Sequence, residues 1–403
     1  MKKSPLLPIF LIVAVDVLGL TLILPLLPFY AEKMGATPTE VGLLVSVYAA
    51  CQLVAGPLLG QMSDRTGRKP LLLVSQFGTL VGFLILAYSH VLWLVFVSRI
   101  IDGLTAGNLS LAQAYIADVT EPENRAKSFA VIGVAFGIGF LIGPAISGYL
   151  SQFGYQYPIF AAAALSATSI LATYFLLPSV TPGEGAASSR RLRVLDWGAY
   201  SEYFKRPGLA PLLWQFFLYV FAFATFMSGF ALFAERRYTW HGSAFGPREV
   251  GYVFAYVGLL GIILQGGLIG RLVKRIGELN LAAIGFASGA VGLSILGFTH
   301  EIPGLLVATA ISAFAMGSVR PVLTSLITQH ARRDEQGVVL GLTQSLMSIA
   351  QIIAPVIAGF LIQRRFLTSW ALFGASIDAS ALLLLLRTRT VEPQPATVTQ
   401  NRE

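Results

Sequence analysis

The 403-residue chain predicts an all-α membrane protein with twelve transmembrane helices in two pseudo-symmetric six-helix bundles. Three observations predict it. The chain is 55% hydrophobic and only 12% charged, where soluble domains average about 25% charged. Apolar runs of about 20 residues, long enough to cross a bilayer core as a helix, recur along the whole length. Short sequences of the first half also return in the second at a nearly constant offset. No run shows the alternation of a membrane β-barrel.

Spans 1 to 12 are read at residues 7–29, 41–61, 71–89, 92–116, 128–150, 158–178, 209–233, 248–270, 280–298, 304–327, 338–361 and 370–386. The start, MKKSPLLPIFLIVAV, has the two lysines and apolar stretch of a signal peptide. No small-residue cleavage site follows, and the apolar run continues through Asp16 to Phe29, so it is read as a retained span. Lys and Arg set the orientation. With a cytoplasmic N-terminus, 20 of them fall on the cytoplasmic side and 6 on the other, while Arg99 and Arg320 lie inside spans. Both termini are therefore expected in the cytoplasm of a bacterial inner membrane. The net charge of +8 reflects that orientation and not nucleic-acid binding.

The longest polar stretch, 179–208, contains TPGEGAASSRRLRVLDW, a basic and flexible linker. It divides the chain into a first bundle at 1–178 and a second at 209–387, with a cytoplasmic tail at 388–403. The single Cys51 lies in a span, so no intrachain disulfide or thiolate metal site is expected. The four histidines fall at loops without ligand spacing, and neither metal nor cofactor is expected.

The halves repeat each other. PTEVG at 38–42 returns as PREVG at 247–251, GQMSDRTG at 60–67 as GRLVKRIG at 270–277, and GPAISG at 143–148 as APVIAG at 354–359. Two parallel six-helix repeats point to a transporter whose site lies between the halves near the midplane.

At the 60–69 loop the chain resembles the major facilitator superfamily, and within it the twelve-span drug:proton antiporters. Gly60-Gln-Met-Ser-Asp64-Arg65-Thr-Gly67-Arg68-Lys69 is similar to the signature G-x-x-x-D-R-x-G-R-K. Asp16, Gly19, Pro25 and Pro28 in span 1, Arg99 in span 4 and GIGFLIGPAISG in span 5 are similar to further motifs of that group. The resemblance implies a gate. Asp64 would engage the positive end of the span 11 helix in the other half, a contact of about 0.3–2 kcal/mol. The loop bases would be linked to Asp118, the acid ending span 4. The second repeat has Lys274 in place of Asp64, so the gate is asymmetric. Gly139, Gly143, Pro144 and Gly148 would form the antiporter motif of span 5. Glycines at spacing four in this span, Gly133 with Gly137 and Gly139 with Gly143, also allow close helix packing by themselves.

Five ionisable residues lie well inside spans: Asp16, Arg99, Asp102, Arg320 and Asp378. Each costs about 2.5–3.5 kcal/mol at a helix centre, so they should face a cavity or each other. On one continuous helix Arg99, Asp102, Gly103, Ala106, Ser110 and Gln113 share a stripe of span 4. An Asp16–Arg99 or Arg99–Asp102 pair could simply fix the helices. Alternatively, an arginine that moves relative to a carboxylate switches its proton affinity, since desolvation raises a carboxyl pKa and a nearby cation lowers it. On that reading Asp16 and Asp102 carry protons and Arg99 modulates them. Asn108 and Gln113 of span 4, Trp214, Gln215 and Phe217 of span 7, Arg320 of span 10 and Gln344 of span 11 are the substrate-binding candidates. Asp378, in span 12, has no role on this reading.

The nearest resemblance is to tetracycline exporters, which also place acids within spans 3 and 9. Here Gly82 stands about where the span 3 acid should be, and span 9 has no acid. The expected function is proton-coupled export of a small amphipathic organic compound by a monomer in the lipid bilayer, and not an enzymatic activity. Proton-coupled uptake of a metabolite is the alternative. A non-transporting membrane sensor is a distant one, since only about 17 residues follow the last span.

Overall fold

A computed structural model describes residues 6–120, 125–178, 201–332 and 335–389. Among the described residues, eleven helices are long and apolar enough to cross a membrane, and a bent pair at the start makes up to twelve. Most helices overrun the apolar runs read from the sequence. Span 2 is Pro38–Thr66, span 5 Arg125–Leu150, span 7 Leu209–Arg237, span 10 Ile302–His330 and span 11 Gln336–Gln363. A helix keeps its internal hydrogen bonds beyond the apolar core, so it outlasts the hydropathy that announces it. Beyond the helices, the described residues include a short hairpin of Thr239–Trp240 and Ser243–Ala244.

Two spans are not the continuous helices the sequence predicts. Span 1 divides into Leu6–Ile23 and Leu27–Lys33, bent by 42° at the break. Pro25 lies in that break, and Pro28 opens the second piece, where a missing N–H costs nothing. Span 4 divides into Leu92–Leu104 and Asn108–Val119. Ser75 of span 3 (Arg68–Ala87) closes that gap. Its hydroxyl accepts from Gly107 N–H at 2.9 Å and donates to the Thr105 carbonyl. Irregular backbone at membrane depth persists where protein groups satisfy it. Span 8 runs from Pro247 to Ile276 through a π-helical segment, Leu264–Leu268.

The first six spans and the last six share one apolar core at one end of the molecule. It gathers Leu26, Phe29, Val41 and Leu44 from the first half with Phe230, Phe233, Ala358 and Trp370 from the second. At the other end there are two cores. One holds Ile9, Leu59, Leu71 and Tyr115; the other holds Tyr203, Leu213, Leu323 and Leu342. The halves therefore meet at one end and part at the end that bears the 60–69 loop.

The closed end is built from the repeated sequences. A Cβ on Gly42 would overlap the Pro355 carbonyl, and one on Gly251 would overlap the Pro144 carbonyl. A Cβ on Gly359 would overlap the Pro38 carbonyl, and one on Gly148 would lie 3.0 Å from the Arg248 carbonyl and 3.3 Å from that of Pro247. The two interfaces, span 2 with span 11 and span 5 with span 8, are thus the same joint made twice. Ser46 adds a hydrogen bond to the Ile352 carbonyl at 2.6 Å, and Arg236 an ion pair to Glu32 at 2.5 Å. Toward the other end, Gly56, Gly60, Gly261, Gly266 and Gly267 have nothing within 4 Å of an added Cβ.

Of the stretch read as a linker, 179–200 lies outside the described residues. Residues 201–208 lead into span 7, with Tyr203 buried in its core. Arg206 binds Glu335, just before span 11, at 2.7 Å.

Candidate functional site

Asp16 sits half-buried in span 1 at a small cavity of about 20 Å³ inside the first half. Val15 and Gly19 line it from span 1, Thr79 and Phe83 from span 3, Asn108 from span 4, and Ala162 and Ser166 from span 6. The Asp16 carboxyl lies beside the side chains of Ser169 and Gln76. Gln76 Nε2 in turn donates to Ser169 Oγ at 2.7 Å, and Ser166 Oγ donates to the Gln76 carbonyl at 3.2 Å. Among the described residues, no cation lies within ion-pair distance of Asp16. Asn108 Oδ1 is buried without a hydrogen-bond partner, and so is Gln76 Oε1.

Arg99 and Asp102 form the other polar cluster. They pair at 3.2 Å, with relative exposures of 5% and 4%. Of the two pairings the sequence allows, this structure makes Arg99–Asp102. The guanidinium lies over the Tyr48 ring of span 2 at 5.9 Å. Its Nε and Nη2 have no hydrogen-bond partner. Gly103 lets span 4 approach span 2, since a Cβ there would lie 2.7 Å from Cys51 Cβ and from the Tyr48 carbonyl. Thr79, which lines the Asp16 cavity, also lies beside the Asp102 carboxyl. Thr79 thus connects the two acids. Gly82 packs directly on Asp102, whose Cβ lies 3.1 Å from where a Gly82 Cβ would stand. Asp102 of span 4 therefore lies directly against Gly82 of span 3.

Because span 4 breaks at Thr105–Gly107, its expected polar stripe does not run through. Arg99 and Asp102 are buried before the break, whereas Ser110 and Gln113 are exposed after it. Asn108, which a continuous helix would turn away from the stripe, is brought to Asp16 instead.

The 60–69 loop forms a compact ionic knot. Arg68 reaches Asp64 at 2.7 Å, Asp118 at 2.8 Å and Ser63 Oγ at 2.6 Å. Gly67 ends span 2 at φ +96°, and its repeat partner Gly277 does the same at φ +79°. Both positions need glycine, since side chains rarely adopt that backbone. Arg65 is exposed, and Gly60 stands in open space.

Span 5 presents two faces of small residues. Gly139 and Gly143 receive Val17 and Thr21 of span 1, and Thr21 Oγ1 donates to the Gly139 carbonyl at 2.9 Å. Pro144 and Gly148 face Gly251 and Arg248 of span 8. One helix therefore holds span 1, which carries Asp16, and half of the closed end.

The second-half candidates lie apart. Gln215 is buried, with Oε1 unpartnered. Trp214 and Phe217 belong to an aromatic ladder running from Phe204 through Phe221 to Phe373 of span 12. Arg320 and Gln344 are exposed. Among the described residues, no hydrogen bond joins Gln113, Arg320 and Gln344. Gln76, Thr79 and Ser169 were not singled out from the sequence. Their signal was there: Ser75, Gln76 and Thr79 lie within one turn of an otherwise apolar helix.

Comparison with known proteins decides the family. A model described as Major Facilitator Superfamily matches residues 9–355 and 244–403. The chain belongs to the major facilitator superfamily. It is 29% identical over 352 residues to the class C tetracycline resistance protein of Escherichia coli, covering 86% of each chain. It is 26% identical over 351 residues to Multidrug resistance protein 2 of Bacillus subtilis, covering 85% of each. Among solved structures it resembles the human organic anion transporter MFSD10, with a TM-score of 0.73 and 25% identity, over 94% of this chain and 98% of that one. This major facilitator protein is thus an integral membrane transporter whose relatives are drug-resistance proteins.

Proposed function

We propose that this major facilitator protein exports small amphipathic organic compounds, tetracyclines or other drugs, in exchange for protons by alternating access. The observation that carries the reading is the Asp16 cavity. A carboxylate with no cation beside it sits in a polar pocket, and Thr79 joins that pocket to the Arg99–Asp102 pair. Arg99 keeps two donors free of hydrogen bonds, so its guanidinium retains the capacity to take a second acceptor. In the cycle, helix movement brings Arg99 toward Asp16 in one state and leaves it on Asp102 in the other. The cation expels a proton from the carboxyl it approaches, and that alternation is the coupling.

The Lys and Arg bias puts both termini and the 60–69 loop in the cytoplasm. The conformation described here is then open inward, ready to take a compound from the cytoplasm or the inner leaflet. The protein works as a monomer, with a site near the midplane between Asn108 of the first half and Arg320 of the second. Names of the relatives, tetracycline and multidrug resistance proteins, support export over uptake.

The test is flux in proteoliposomes with an imposed inside-acid pH gradient. Tetracycline, amphipathic cations and small zwitterions are added outside in turn. Substrate-dependent collapse of the gradient, with the compound accumulating inside as protons leave, is the expected result. Movement of compound and protons in the same direction would make the protein a symporter.

A further inference from the structure

The second half contains a small cavity of about 20 Å³ that the proposed cycle does not use. Tyr219, Phe223 and Phe226 line it from span 7, Gly289 and Leu293 from span 9 (Glu278–Phe298), Ser312 and Met316 from span 10, and Asp378 from span 12 (Leu367–Arg389). The Asp16 cavity is lined by spans 1, 3, 4 and 6. These are the repeat equivalents of spans 7, 9, 10 and 12. The repeat offset of 210 carries Thr79 and Phe83 of the first cavity onto Gly289 and Leu293 of the second. Each half thus holds a cavity in the same place, with a carboxylate in it, supplied by different helices.

The surroundings of Asp378 are shaped for a carboxyl and not for a charge pair. Asp378 is 5% exposed. A Cβ on Gly289 would overlap its Oδ2 and come 2.8 Å from Cγ, so the bare glycine makes the room that the carboxyl fills. Ser312 Oγ, on the same cavity wall, is buried without a hydrogen-bond partner. The groups that face Asp378 are few. From span 7 comes Tyr219, whose hydroxyl donates to the Met316 carbonyl at 3.0 Å. From span 10 come Ser312 and, one turn beyond Met316, the exposed Arg320, whose charge reaches Tyr219. Span 9 turns no titratable group toward Asp378; its acid, Glu278, is bonded to Ser325 and Gln329 at the start of the helix. Among the described residues, no Lys, Arg or His lies within ion-pair distance of Asp378. A lone ionised carboxylate in an apolar bundle is costly, and a proton is the smallest ligand that relieves it.

We propose that Asp378, with Ser312 and the space left by Gly289, forms a second proton-binding site, the counterpart in the second half of the Asp16 cavity. The site is separate from Asp16 and stands whether or not the export reading does. Asp378 takes its proton while the cavity is reached by water and gives it up when helix movement brings Arg320 nearer.

The test reads protonation directly. Purified protein in lipid nanodiscs, with isotope-labelled aspartate, is titrated while the infrared carbonyl band of protonated carboxyl groups is followed. The expected result is a titrating band that Asp378→Asn removes and Asp16→Asn leaves in place. If Asp378→Asn does not fold, Asp378→Glu supplies the same readout with a displaced band. Gly289→Ala, which drives a methyl into the carboxyl, shifts the band. Difference spectra of Asp378→Asn identical to those of the wild-type protein would overturn the proposal. So would an Asp378 band unchanged across the whole titration, which marks a permanently neutral structural acid. Loss of the band on adding sodium at fixed pH would make this a metal-cation site and overturn it as well.

Discussion

Gly42 and Pro355 touch backbone to backbone across the two halves, and Gly251 and Pro144 repeat that contact on the opposite side of the molecule. The four residues belong to the two sequence repeats, PTEVG with PREVG and GPAISG with APVIAG. Each half carries both parts of the joint, a glycine near the start of its second span and a proline-bearing partner on its fifth. Breaking one joint should therefore strain the other.

Gly251→Leu is expected to open the closed end. The new side chain has no room beside the Pro144 carbonyl and Gly148. Overpacking of this kind costs about 1–3 kcal/mol, and that shifts a balanced conformational equilibrium about fivefold or more. Spin labels at Thr39 and Gln363, which hydrogen-bond across the same end, would report a longer distance in the variant. An unchanged distance distribution would show that the joint does not hold the closed end.

The repeats themselves were legible in the sequence; their mutual contact was not. Spans are easy to read because a bilayer demands about 20 apolar residues at each crossing. Where a helix breaks is harder. The gap at Thr105–Gly107 exists because Ser75, on another helix, satisfies the freed carbonyl and amide. No local periodicity contains that fact, so a uniform turn of about 100° per residue carried the stripe of span 4 too far. The same limit hid the cavities. Asp16 and Asp102 stood out as charges in apolar runs, but Thr79, which joins them, is an ordinary residue until span 3 is laid against span 4. Asp378 stood out too, yet its meaning depends on Gly289 and Ser312, distant in sequence and chemically plain.

Asp102→Asn should destabilise the protein more than removal of both partners. The mutation leaves Arg99 buried, with no carboxylate and with Nε and Nη2 already unpartnered. Breaking a buried pair from one side costs about 3–5 kcal/mol, whereas an apolar replacement of both partners is often close to neutral. Thermal unfolding in detergent would compare Asp102→Asn with the double change Arg99→Met, Asp102→Leu. If the single variant melts no lower than the double, the pair is not a fixed structural element of this conformation.

Asp16→Asn should abolish exchange driven by a pH gradient and leave downhill exchange of bound compound intact. The amide keeps the size of the carboxyl and its polar neighbours Ser169 and Gln76, but it cannot carry a proton between states. The distinguishing measurement is uphill against downhill flux of the same compound in the same vesicles. Equal loss of both would assign Asp16 to folding or binding. Unchanged uphill flux would remove it from coupling.

Asp64→Asn is expected to slow turnover several-fold without weakening substrate binding. Arg68 joins Asp64 and Asp118 in one knot at the open end. Loss of the Asp64 charge removes one of the two acids that hold Arg68, leaving Asp118 and Ser63 Oγ, and weakens the tie between the end of span 2 and the loop that must reorganise when this end closes. Binding measured by fluorescence and flux measured in vesicles separate the two effects. A drop in affinity equal to the drop in rate would place Asp64 in the binding site and end its gating role.

Glu335→Gln should leave the pH profile of transport unchanged. Hydrogen bonds from Arg206 hold the Glu335 carboxyl below the ordinary glutamate range. A depressed carboxyl contributes its stabilisation in full above the unfolded value, about 4.3 for glutamate, and loses it only as pH falls through the lower folded value. Across the range where a transporter titrates its coupling acids, the Arg206–Glu335 bridge therefore stays closed. It ties the segment before span 7 to the start of span 11 at every working pH. The pH dependence that remains in Glu335→Gln vesicles then belongs to the acids inside the spans. A profile displaced by this substitution would mean that the start of span 11 senses pH itself, and the coupling site would have to be sought there.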